Sequence, residues 1–107
     1  MTEWSAPVSA SRIRRWEDPV VVPTISRFYG IVIRMYLSDH APPHFHAVYA
    51  ADEAVIAMTT LEVLRGALPE RALRMVREWA SMHGDELAAN GERIQLPETP
   101  IPIAPLP

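Results

Sequence analysis

Ile31-Val32-Ile33-Arg34-Met35-Tyr36-Leu37 leads, across one serine, into Asp39-His40-Ala41-Pro42-Pro43-His44-Phe45-His46. In the first half, Ile31, Ile33, Met35 and Leu37 alternate with Val32, Arg34 and Tyr36, the period-two pattern of a half-buried strand. Arg34 and Tyr36 then share the face opposite the apolar set. In the second half, adjacent prolines fix their own φ and push the preceding residue toward extended backbone, so the segment is a shaped turn and not a helix. On the strand that follows, His44 and His46 are two apart and point to one face, with Phe45 on the other. The turn can carry Asp39 and His40 back toward that pair. Strand, stiffened turn and strand make an antiparallel unit, and the rest of the fold is built outward from it.

On the N-terminal side, Gly30 marks a turn or bulge after Ile25-Ser26-Arg27-Phe28-Tyr29, itself a candidate short strand. On the C-terminal side the second strand runs over about residues 44–50, and Ala51-Asp52-Glu53 is a tight connection. Ala54-Val55-Ile56-Ala57-Met58-Thr59 is a third strand, apolar on both faces and therefore central. Residues 61–64 give a short fourth, closed by Gly66. Leu68-Pro69-Glu70-Arg71 opens the main helix, with Pro69 at the first helical position, where a missing N–H costs nothing. Leu73, Val76, Trp79, Ala80, His83 and Leu87 lie on one stripe of it, with Ala72 beside them. Gly84 is an interior cost of roughly 1 kcal/mol relative to alanine, and Asn90-Gly91 is the expected stop. The prediction is an α+β domain over residues 22–96: a small antiparallel sheet of three or four strands, with one long C-terminal helix packed on one face.

Residues 1–21 read as a flexible N-terminal extension. Arg12, Arg14, Arg15 and Trp16 also suit an arm that grips RNA or a partner. Residues 97–107 hold five prolines, which exclude regular structure and suggest an extended surface tail.

A chain of 107 residues is long enough for one domain with a modest core. Its net charge of -3 gives no overall nucleic-acid footprint. All ten basic residues are arginine, whose planar fork suits phosphate and carboxylate. The absence of cysteine excludes disulfides, thiolate metal sites and thiol nucleophiles, and leans toward the cytoplasm. No apolar run approaches the roughly 20 residues that span a bilayer, so no membrane contact is expected.

Three of the four histidines fall within residues 40–46, and imidazole near neutral pH serves as acid, base or metal ligand. In one reading, His44 and His46 with His40 or Asp39 bind a divalent transition metal. In a second, His40, His44 or His46 moves a proton beside Arg34, Tyr36 and Arg27, as in metal-free cleavage of RNA. The plainer reading is that Asp39 and the histidines hydrogen-bond backbone groups freed by the double proline. His83, on the apolar stripe, reads as a satisfied core histidine. Arg71, Arg74 and Arg77 read as a solvated helix face, which with Arg65 can form a basic strip.

Val22-Pro23-Thr24-Ile25-Ser26-Arg27-Phe28, Gly30-Ile31-Val32-Ile33, Met35-Tyr36, Asp39-His40, Pro42-Pro43-His44-Phe45-His46, Glu53-Ala54-Val55-Ile56, and Leu68-Pro69 through Glu78-Trp79 together resemble the small bacterial domain-of-unknown-function 4160 family. The resemblance implies the toxin half of a type II toxin–antitoxin module, with a small cognate antitoxin-like protein as partner; it names a role and no reaction, and RNA is the substrate class expected from the histidines and arginines if the chain is an enzyme. A homodimer is compatible with it. The alternative is a non-catalytic binding module or a small metal-binding domain. The family pattern starts near Pro23, so residues 1–21 look like an addition and Val22 is an alternative first residue; recovery of peptides from 1–21 in native cells would exclude that start. Family members tend to carry Asn-Trp-Glu-Arg where this chain has Asn90-Gly91-Glu92-Arg93.

Overall fold

The computed structural model describes residues 23–36, 42–96 and 98–107. The expected extension at 1–21, and Asp39 and His40 of the turn, lie outside the described residues. Five strands, β1 (Thr24–Phe28), β2 (Ile31–Arg34), β3 (His44–Tyr49), β4 (Asp52–Ala57) and β5 (Val63–Gly66), precede two helices, α1 (Glu70–Met82) and α2 (Gly84–Gln95). Each strand pairs antiparallel with its neighbour in sequence, giving a meander in the order β1 to β5. The class is α+β, as the sequence predicts. The sheet has five strands where three or four are expected, and two helices replace the one long helix.

The additional strand is the candidate at residues 25–29, which the structure places at Thr24–Phe28 beside the turn at Gly30. Tyr29 and Gly30 join β1 to β2 with φ of 49° and 81°. Positive φ at both central residues matches the right-handed twist of the flanking strands, so the turn read at Gly30 is a tight two-residue hairpin with Tyr29 in its first position. The β3–β4 hairpin turns at Ala50-Ala51, with Ala50 at φ 54°, ahead of the expected connection at 51–53. Gly66, at φ 75°, closes β5 against β4, and a Cβ there would collide with the carbonyl oxygen of Glu53.

The helix breaks at His83, whose backbone sits at φ -126°, ψ 31°. Three local causes act together. Gly84 has poor helix propensity. Asp85 and Glu86 favour the positive end of a new helix in its first turn. The His83 imidazole is held at 2.6 Å by Glu86 Oε1. Gly84 therefore begins a helix instead of interrupting one. Asn90-Gly91 does not stop it, because the Asn90 side chain is committed elsewhere and α2 runs on to Gln95.

Both helices cover one face of the sheet. Trp79 of α1 is fully buried there, 5.5 Å from the ring of Phe28 and 5.9 Å from that of Phe45. Ile31, Ile33, Ile56, Val76 and Leu87 complete the centre of this core. Residues 98–107 form no regular element, yet they are docked, not laid loosely on the surface: Ile103 and Leu106 are buried in the same core. The Ile103 amide donates to the Ile25 carbonyl at 2.7 Å, and the Trp79 indole N–H donates to the Ala104 carbonyl at 2.8 Å. Among the described residues, no helix is long and apolar enough to cross a membrane.

Candidate functional site

Alternation along β3 sends Phe45 and Ala47 into the helix-covered core and His44 and His46 to the opposite face. Register then assembles a row across the sheet. Thr24, Arg34, His46, Val55 and Arg65 are successive cross-strand partners from β1 to β5. Adjacent strands lie about 4.8 Å apart, so Arg34 is the immediate neighbour of His46, and Arg65 stands two strands away on its other side. Arg27, paired with Val32, shares this face two positions along from Arg34, on the edge strand.

Packing around the imidazoles is close. The Tyr36 ring lies 4.3 Å from that of His46, and the His44 and His46 rings are 5.3 Å apart. His44 and His46 are only 9% and 6% exposed, so this face is not the open surface that alternation alone predicts. The cause is the row itself: Tyr36 leans over His46, and Val55 and Ala57 sit buried beside the pair. Arg34 and Tyr36 are half-buried, whereas Arg27 and Arg65 are exposed.

Each histidine is fixed through Nδ1. The Nδ1–H of His44 donates to the Pro42 carbonyl at 2.7 Å, satisfying a group freed by the double proline. A carbonyl only accepts, so in the neutral ring the lone pair is on Nε2. The Nδ1–H of His46 donates to Glu53 Oε2 at 3.0 Å. A carboxylate in that position sets the tautomer and the orientation of the ring. The two histidines thus have different equipment: His44 latches the turn, and His46 has the partner expected of an acid or base. The Arg34 Nε is buried without a hydrogen-bond partner.

The structure therefore brings together Arg34, Tyr36, His44 and His46, with Arg27 further along the same face. His40 and Asp39 fall outside the described residues, and among the described residues no three His, Cys, Asp or Glu side chains group so as to hold a metal ion. His83 lies at the helix junction beside Trp79, bonded to Glu86 and apart from the other histidines. Arg71, Arg74 and Arg77 are exposed on α1, with Arg77 Nε donating to the Leu61 carbonyl at 3.0 Å. Arg65 belongs to the histidine face and not to a strip with them.

Glu53 is the residue that sequence reasoning missed. A two-residue turn at Ala50-Ala51 pairs His46 with Val55 and puts Glu53 on the diagonal. Centring the turn two residues later hides that contact.

No curated protein and no solved structure matches the chain. The family model described as a domain of unknown function, DUF4160, matches residues 30–90. That span holds the Pro-Pro turn, the row of Arg34, His46 and Arg65, and α1, and by this match over more than half its length the chain belongs to the DUF4160 family.

Proposed function

We propose that the chain acts on RNA through the sheet face that carries His46, as the toxin-like component of a two-protein bacterial module. The observation that carries the reading is the row Arg34–His46–Val55–Arg65. In a chain of net charge -3, the strand residues of this face contribute Arg27, Arg34 and Arg65 against Glu53 alone, and Glu53 is paired to His46. Exposed arginines meet a phosphate backbone first. Half-buried Arg34 then stabilises phosphate charge, while His46, oriented by Glu53, moves a proton. The Tyr36 ring, packed 4.3 Å from that of His46, holds the imidazole in place.

The partner in this reading is a small cognate antitoxin-like protein whose co-expression restores growth. The rival reading is a non-catalytic module that occludes its target, and the burial of both imidazoles favours it. A metal at His44 and His46, completed by His40 or Asp39, is a third reading that metal analysis of untagged protein decides.

Induced expression of the wild type, Arg34→Gln and His46→Gln, with RNA integrity followed in parallel, separates the first two. We expect growth inhibition and RNA loss with the wild type and neither with the variants, each folded with a melting temperature within about 8 °C of the parent, the shift for roughly 1 kcal/mol. Inhibition by His46→Gln equal to wild type would favour occlusion over catalysis. Intact RNA in every arm, together with no RNA binding by the purified protein, would remove RNA as the target.

A further inference from the structure

We propose that the cavity between α2 and the turn end of the sheet is a nucleobase subsite; the inference rests on the RNA reading above and says where one base of the strand goes. The cavity measures about 610 Å³, inside the roughly 300–1,000 Å³ range of small-molecule clefts. One wall is the face of α2 that presents Gly84, Ala88 and Gly91, at i, i+4 and i+7. Over those two turns the wall carries nothing larger than a methyl and is flat, and Ile94 and Gln95 continue it toward the end of α2. Met58 packs at one end against Gly91, where a Cβ would stand 3.4 Å from its sulfur. At the other end, a Cβ on Gly84 would meet nothing within 4 Å among the described residues. A flat apolar slot ended by a thioether suits the edge of an aromatic ring.

Polar groups at the margins narrow the occupant. His44 lines the cavity, and its ring is 5.3 Å from that of His46, so the slot and the arginine-bearing face adjoin at this residue. Glu92 also borders the slot, and a carboxylate there accepts a hydrogen bond from an exocyclic amine, as Glu does from cytosine N4. The ligand that answers both regions is a flat ring bearing a donor, tethered to an anion. A nucleotide within a single strand has that composition, and an apolar protein side chain lacks the anion.

The test measures binding of two labelled 2′-O-methyl strands of equal length to the full chain by fluorescence anisotropy, one carrying bases and one abasic. We expect the strand with bases to bind about tenfold more tightly, the worth of one stacked base. Ala88→Leu, a helix-compatible substitution on an exposed position, fills the slot and is expected to erase that preference while leaving affinity for the abasic strand unchanged. Arg34→Gln is expected to weaken both. Equal binding of the two strands by the unmodified protein, or a preference that survives in Ala88→Leu, overturns the subsite and assigns the cavity to another occupant such as a partner's side chain, with the RNA reading intact. Binding of neither strand overturns the RNA reading and the subsite together. If Ala88→Leu does not fold, the comparison of strands on the unmodified protein still decides.

Discussion

Trp79→Ala is expected to remove about 3–5 kcal/mol of stability, the range for deleting a buried tryptophan. The indole is fully buried between Phe28 and Phe45, and it is the point where sheet, α1 and the C-terminal segment meet. Domains of this size have about 5–15 kcal/mol in total, so the variant sits near the edge of folding. Its melting temperature should fall by on the order of 20 °C. Trp79→Phe is the milder step, because it keeps a ring in the core while losing the five-membered ring and the N–H that bonds the Ala104 carbonyl. Urea titrations of both variants provide the check. A loss below about 1.5 kcal/mol for Trp79→Ala would mean that this ring is not the centre of the core.

Asn90→Ala should cost about 2–4 kcal/mol, reckoned from several hydrogen bonds to a buried amide. Asn90 is 1% exposed and makes three bonds, each at 2.8 Å: Nδ2 donates to the Ile101 carbonyl, while Oδ1 accepts from the Ile101 amide and from Arg93 Nη1. Alanine leaves those groups without their partner. Asp is the sharper substitution, since it keeps both accepting contacts and turns an oxygen toward the Ile101 carbonyl. We expect Asn90→Asp to destabilise the segment despite being isosteric. Hydrogen exchange at the Ile103 amide, bonded to Ile25, reads the effect locally. Unchanged protection of that amide in both variants would show that residues 98–107 are held by their apolar contacts alone.

How much of this was legible in the sequence depends on the range of the physics involved. Strand alternation is set by nearest neighbours, so β2, β3 and β4, and the face each side chain takes, follow from reading Ile31 to Ala57. Hairpin register is not local in that sense. It depends on where the turn is centred, and Ala50-Ala51 carries none of the Asn-Gly chemistry that marks such turns. Losing that centre hid the His46–Glu53 pair, and ending the last strand at residue 64 left out Arg65, which lies inside Val63–Gly66. The helix break was concealed because Leu87 falls on the same stripe as Leu73 and Trp79 by coincidence of spacing, while His83, Gly84, Asp85 and Glu86 together spell a new start. The Asn90-Gly91 pair reads as a stop only when the asparagine side chain is taken to act locally. Here it reaches residue 101. At the site, the opposite exposures of the arginines and imidazoles came from packing by Tyr36, Val55 and Ala57, which alternation cannot express.

The bond from Ile103 to Ile25 has a consequence for self-association. β1 is an outermost strand of the sheet, and an unguarded outermost strand is a template on which other chains add. The docked segment occupies part of that template while offering a poor one of its own, because Pro100, Pro102, Pro105 and Pro107 lack the amides that a further strand would need. Local release of residues 98–107 would therefore bare the β1 border and the apolar Ile103 and Leu106 side chains at the same moment. Heating should lead this protein toward intermolecular β-pairing unless the proline-rich segment stays seated.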